Sequence, residues 1–594
     1  MKCCLGLQII FFIFLTITSC NNKNATPKSI TVDSLCNLYY EDRAKLFPLD
    51  ATSISDNRYN DSWPNDLSQK VINERKEFYT RYKQLLEAYH RTSLAEKDHV
   101  NYDILAWDCN TGLEGLQFKD YLIPINHYVS SNLLIPQLAD GSGYQPFATV
   151  PDYDNWVKRL EGYLIWLDTA MANMRIGMKT GYVLQKSLIE KVIPQFAEFD
   201  HGKPEEHFFY TPVKNMPKEF SAADKKRISE TYKKFIADRV IPAYGRMKTF
   251  LQSEYLSAGR ETAGISATPL RKDYYQYLIK VYTTTNMGSD EIFDVGMKEV
   301  ERITKEMEEV KQAVGFTGSL KEFFEYIKTK KELMPYKKPE QVVAHFDSIQ
   351  KRMQPYLAKL FTVTPKSKLE IKRVPAYFEA TVGTAYYNIG SPDGKRPGIF
   401  YVPVPDATKY NVHKDEALFL HEAIPGHHFQ GSLQNEDTTL PKIRLMLSGY
   451  LAYVEGWALY SESLGKELGL YKDPYQYLGK LVLEMHRALR LVLDVGIHVK
   501  GWTKKQAIKY SLEHEPLTED IISSEVERYM VWPGQALAYK IGQLKISELR
   551  TKAEKELGSK FNLAEFHTKI LSTGPVPIKI LEDKINEWIQ SSKH

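Results

Sequence analysis

The chain has 594 residues, 43% hydrophobic and 26% charged, which is ordinary globular composition and length enough for one large domain or two lobes. Its net charge of +4 gives no footprint for nucleic acid. Its five cysteines, of which Cys3, Cys4 and Cys20 lie at the extreme N-terminus, exclude a disulfide framework and a Cys-rich metal site.

The N-terminus carries Lys2, an apolar run from Leu5 to Leu15, and then Ile17-Thr18-Ser19-Cys20 before the polar Asn21-Asn22-Lys23-Asn24. That pattern is a lipoprotein signal peptide over 1–19, cleaved before Cys20 so that the new N-terminal cysteine takes the lipid; a plain secretory signal is the alternative. The run is too short to span a bilayer, and no later segment is apolar enough to do so. Residues 20–34 are expected to tether one helical domain, 35–594, to the bacterial cell envelope, leaving Cys36 and Cys109 as the mature thiols.

Along that domain, apolar residues recur at helical spacing through Trp156–Met178, Phe235–Leu256 and Leu478–Val499, so the fold is expected to be mainly α. Mixed-sign runs such as Lys298–Arg302 and Lys305–Glu309 are solvated helix faces. Strand signals are few. Ala385–Ile389 and Gly398–Pro403 are β-branched and aromatic runs flanking Ser391-Pro392-Asp393-Gly394, which predicts a hairpin. Its edge from Gly383, Thr384 and Ala385 to Asn388 can hold a peptide as an added strand, because backbone hydrogen bonds read any sequence; a purely structural hairpin is the alternative.

The densest chemistry follows the run Ala417-Leu418-Phe419-Leu420. His421-Glu422-Ala423-Ile424-Pro425-Gly426-His427-His428 resembles a stretched H-E-x-x-H zinc helix, in which two His four apart share one ion. A spacing of six turns His427 about 240° away on a regular helix, while His428 returns to the same face about 10 Å further along the axis. Neither works unless the helix bulges at Pro425-Gly426 and brings His427 back, with His428 as the alternative. A third ligand is expected at Glu455, the only acid between Leu445 and Tyr460, unless it pairs with Arg444 or Lys442; Glu462 is one further possibility. Further on, Arg490, Asp494 and His498 are spaced four apart, so on a helix they line one face, as a polar relay or as a salt-bridged stripe.

Four blocks in order carry a family resemblance: HEAIPGHHFQ, YVEGWALY, Arg487–His498 and Glu527-Arg528-Tyr529-Met530-Val531-Trp532-Pro533-Gly534-Gln535-Ala536. They resemble the bacterial family catalogued as domain of unknown function 885, itself similar to gluzincin metallopeptidases with H-E-x-x-P-G-H in place of H-E-x-x-H. The similarity runs from about residue 35 to the C-terminus, through Phe566-His567 and Gly574–Pro577. The resemblance implies a two-lobed helical zincin-like peptidase with a small sheet beside the ligand helix and a zinc site within 380–540. It makes His421, His427 and Glu455 the ligands of one Zn²⁺ per chain and Glu422 the general base. The Arg528-Tyr529 pair is similar in order to the Arg-Tyr pair of angiotensin-converting-enzyme-like peptidases, which implies an oxyanion role for Tyr529 and substrate contact for Arg528. His498 and Arg490 are the next catalytic candidates. Peptides are the implied substrates. A lipid-anchored binding protein with a structural or vestigial zinc site, or a zinc amidohydrolase on another amide, is the competing reading.

Overall fold

A computed structural model describes residues 30–141, 143–375, 379, 384–391 and 395–593. Cys20 and its leader, Gly383 on the expected peptide rail and Pro392–Gly394 of the hairpin turn lie outside the described residues. The fold is 69% helical with one three-stranded sheet, as the apolar spacing predicts.

The helices form where the sequence supplies both caps and a stripe. In Val150–Thr180, the Asp152 carboxylate accepts the Thr149 N–H at 2.7 Å, and Gly181 at φ +82° closes the far end. Between them Trp156, Leu160, Tyr163, Leu167, Ala170 and Met174 recur every three or four residues on the buried face. The expected helices at Phe235–Leu256 and Leu478–Val499 are likewise present, the latter as Pro474–His498.

Two main hydrophobic cores result. One draws mainly on residues 63–333 and returns for Leu478 to Ala536, including Trp156, Tyr244, Ile303, Leu489 and Tyr529. The other draws on the first helices and then on Val342–Tyr471 and Ala538–Ile589, including Phe346, Phe419, Trp457 and Phe566. Each core is discontinuous in sequence, so the helices 415–463 belong to one and the segment 478–536 to the other. The H-E and E-G-W motifs therefore pack with one core and Tyr529 of the R-Y motif with the other.

The sheet comprises β1 (Leu369–Arg373), β2 (Tyr386–Asn388) and β3 (Gly398–Val402) in the order β1-β3-β2. β2 and β3 form the expected antiparallel hairpin, with Tyr387 opposite Phe400. β1 adds in parallel on the other side of β3, with Ile371 opposite Phe400. The Phe400 ring packs 5.1 Å from Phe346 and 6.2 Å from Phe419, which seats the sheet directly against the helix that carries His421. Among the described residues β2 is an edge strand of this sheet.

Candidate metal centre

His421 sits on the helix Asp415–Glu422, whose start is pinned from three sides. Glu416 accepts the Tyr471 N–H at 2.6 Å and pairs with Arg352 at 2.7 Å, while Tyr410 donates its hydroxyl to Asp415 at 2.9 Å. The helix then stops. Residues 423–426 form a turn containing a cis Ile424–Pro425 bond, and a new helix begins at His427 and runs to Glu436. Gly426 is required there by close approach: a Cβ on it would lie 1.9 Å from the His421 carbonyl oxygen. Trp457 on the opposing helix donates its indole N–H to the Pro425 carbonyl at 2.9 Å and clamps the turn. The break thus does what a regular helix cannot, leaving the His421 and His427 rings 5.0 Å apart and nearly perpendicular at 88°.

The third side chain comes from the helix Leu451–Ser463, which crosses the helix Leu537–Leu557 at a glycine pair; a Cβ on Gly456 would meet Gly542 carbons at 2.6 Å. That close crossing holds the neighbouring Glu455. Its Oε2 lies 3.5 Å from His421 Nε2 and 3.6 Å from His427 Nε2, and one atom from each of the three residues falls within 4.8 Å of the others. Tetrahedral zinc with bonds of about 2.0–2.1 Å spaces its ligand atoms roughly 3.3–3.5 Å apart. The donor set and its spacing therefore fit that ion. Arg444 is not a partner of Glu455; it reaches Asn101 at 3.1 Å and the Thr573 carbonyl.

Glu462 lies seven residues after Glu455 on the same helix face and has a different task from ligation. Its Oε1 accepts a hydrogen bond from His421 Nδ1 at 2.8 Å, which turns the ring so that Nε2 faces Glu455 and His427. The other Glu462 oxygen is buried without a hydrogen-bond partner. Glu422, half-buried at the end of the first helix, completes the group.

The electrostatics follow from this crowd of acids. Burial disfavours a charged imidazole, yet Glu455 and Glu462 on either side pull His421 up to about 9. Burial would raise Glu455, but the His421 and His427 imidazoles hold it down at about 2. His427 is pushed below its ordinary range chiefly by burial. Among the described residues no lysine or arginine forms an ion pair with Glu422, Glu455 or Glu462. Three carboxylates thus crowd two imidazoles, with one donor atom each of His421, His427 and Glu455 facing a common point, an arrangement whose chemistry suits a cation.

His428 points elsewhere. Its Nδ1 meets the Tyr387 hydroxyl of β2 at 2.9 Å, and burial pushes it down to about 4, so it ties the second helix to the sheet. The alternative of His428 as second ligand is thereby removed by direction. Thr384 is exposed and Ala385 packs into the second core just before β2.

Across the seam, Tyr529 and Arg490 do come together. Arg490 Nε donates to the Tyr529 hydroxyl at 3.3 Å, and both bond Glu525, at 3.0 and 2.9 Å. The Tyr529 hydroxyl is therefore committed to Glu525. Arg528 is mostly buried and donates to Gln535 at 2.6 Å. The expected Arg490-Asp494-His498 relay is not formed. Asp494 instead accepts from Tyr275 and from the Gly534 N–H at 2.9 Å, while His498 bonds the Tyr529 carbonyl at 2.9 Å and the Ile265 N–H at 3.1 Å. With both ring nitrogens spent on backbone and burial pushing it down to about 3, His498 is a neutral strut between elements. His567 of the closing motif is similar, held by Tyr460 at 2.9 Å and the Leu360 carbonyl at 2.8 Å. Sequence reasoning passed over Glu525 and gave Arg487, the first residue of a motif block, no role. Arg487 is close enough for its charge to lower both Glu455 and His427.

Fold and site together define a mainly helical protein with one small sheet and a His-His-Glu cluster at a broken helix. The chain belongs to the bacterial family of proteins of unknown function DUF885, whose model matches residues 48–585. Among solved structures it is similar to a proposed lipoprotein from Colwellia psychrerythraea, 27% identical, with a TM-score of 0.85 over 95% of this chain and 100% of that one. It also shares its fold with a proposed lipoprotein of unknown function from Shewanella oneidensis, 18% identical, with a TM-score of 0.75 over 93% of this chain and 99% of that one. No curated protein matches the chain.

Proposed function

We propose that this protein is a zinc-dependent peptidase held at the bacterial cell envelope by lipid on Cys20. The observation that carries the reading is the convergence of His421, His427 and Glu455 at 3.5 and 3.6 Å, where among the described residues no lysine or arginine forms an ion pair with Glu455. Zinc bound there supplies Lewis-acid polarisation of a carbonyl and a water acidified toward neutral pH. Glu422 takes a proton from the attacking water and delivers it to the leaving amine. Glu462 keeps His421 in the tautomer whose Nε2 is free. β2, at the edge of the described sheet and tied through Tyr387 to His428 next to His427, is where an extended peptide would add. The anchor rests on the signal-like N-terminus ending at Cys20 and on the lipoprotein description shared by the two structural neighbours.

The test is metal content and turnover of a mixed peptide library, read by mass spectrometry, on wild type, Glu422→Gln and Glu455→Ala. The reading expects one zinc per chain and cleavage in wild type. Glu422→Gln keeps its zinc and loses about 10²–10⁴-fold in rate. Glu455→Ala loses both. Zinc-free, inactive wild type would discard the proposal.

A second reading draws on the His421 imidazole raised to about 9 between two carboxylates. A proton shared by Glu455, His421 and Glu462 makes the cluster a metal-free structural element of a lipid-anchored binding protein. It expects no metal and no cleavage.

A further inference from the structure

None of the metal-cluster residues lines a separate cavity of about 140 Å³ beside the end of the helix Glu519–Val531. Its aliphatic floor includes Leu278 and Met530, its aromatic walls are Tyr274, Tyr282 and Trp532, and its one acid is Asp120. Asp120 is exposed as a residue, but its carboxylate is packed closely enough that burial pushes its pKa above the usual carboxylate range. Its carboxylate accepts the Tyr274 hydroxyl at 3.0 Å, and among the described residues no lysine, arginine or histidine forms an ion pair with it. Arg260, the other charged residue of the lining, spends its guanidinium on the carbonyls of Val183 at 3.1 Å, Gly264 at 2.9 Å and Thr262. The aromatic walls are fixed in place: Trp532 donates its indole N–H to the Tyr282 hydroxyl at 2.7 Å, with the two rings edge-to-face at 82°.

An unneutralised carboxylate framed by three electron-rich rings over an aliphatic floor is complementary to one chemistry. The rings attract a cation, the carboxylate pairs with it, and the floor covers a methylene stem. We propose that this cavity binds an ammonium or guanidinium on an aliphatic stem, the chemistry shared by lysine and arginine side chains of a peptide and by free polyamines. The inference stands apart from the metal reading, because none of the cavity's groups touches the metal cluster and the test needs no turnover.

Isothermal titration of the full folded protein with Nα-acetyl-lysine amide, Nα-acetyl-norleucine amide and putrescine tests it. The norleucine probe keeps the stem and removes the charge. Wild type is expected to bind the lysine probe about tenfold or more tighter than the norleucine probe, an ion pair plus cation–π gain. Asp120→Asn, which is isosteric and removes only the charge, is expected to bring the two within about twofold, whereas Glu455→Ala leaves the preference intact. Tyr274→Phe, which frees the carboxylate from its hydroxyl partner, keeps a preference for the cation. Putrescine binding above the lysine probe assigns the cavity to free polyamines; the reverse assigns it to peptide side chains. Equal binding of the charged and neutral amides, no binding of either, or an Asp120→Asn protein that keeps the preference would overturn the proposal.

Discussion

Glu484 and Glu455 are both carboxylates enclosed in the helical body of the protein, at 3% and 17% side-chain exposure, and their surroundings are opposite in charge balance. Around Glu484, Lys540 reaches Oε1 at 2.7 Å, Arg302 reaches the same oxygen at 2.5 Å and Lys480 takes Oε2. Glu299 and Glu306 complete the set against the same bases, so three acids meet three bases and the cluster closes on itself. Around Glu455 three acids meet two imidazoles, among the described residues no lysine or arginine forms an ion pair with them, and one donor atom each of His421, His427 and Glu455 faces a common point. The first arrangement is what a structural ion network looks like when burial is compensated. The second lacks that compensation, and the proposed zinc would supply it.

The contrast makes different demands on mutation. Lys540 is fully buried, so Lys540→Met leaves the Glu484 side uncompensated and should cost about 3–5 kcal/mol in chemical denaturation. Acid should act on the same cluster. Burial would raise Glu484, but Lys540, Lys480 and Arg302 hold it well below the usual carboxylate range. Its folded pKa lies under the unfolded value, so its contribution is complete above about pH 4.3 and fades as pH falls further. The stability gap between wild type and Glu484→Gln should therefore shrink on acidification below that point, as followed by urea melts at stepped pH. At the open cluster, Glu462→Gln should leave stability nearly unchanged and weaken zinc by about 10–100-fold in a chelator competition. His428→Ala, beside the cluster but turned to Tyr387, should leave zinc affinity unchanged and cost only stability. A drop in zinc affinity there would erase the distinction between His427 and His428.

How far the sequence reached depended on whether a partner was local. The apolar stripe of Trp156–Met178 and the Tyr387–Phe400 pairing are set by neighbours in the chain, and both appear as expected. The break at Pro425-Gly426 was legible because a six-residue spacing cannot work on a regular helix. Glu462 as the partner of His421 was half legible: its seven-residue offset from Glu455 puts both on one face, but only packing reveals which nitrogen it meets. The strand Leu369–Arg373 alternates apolar and charged residues, a weak signal whose parallel pairing needs the long connection to β3. The Arg490-Asp494-His498 stripe shows the limit. Spacing aligned the three on one helix, but Tyr275, Gly534, Ile265 and the Tyr529 carbonyl arrive from other elements and take their hydrogen bonds.

The most direct test of the open-cluster account is anomalous diffraction at the zinc edge from crystals of the metal-loaded protein. The account predicts one peak per chain, within about 2.0–2.2 Å of His421 Nε2, His427 Nε2 and a Glu455 oxygen. A peak at His428, or none at His421, His427 and Glu455 under saturating zinc, would contradict it.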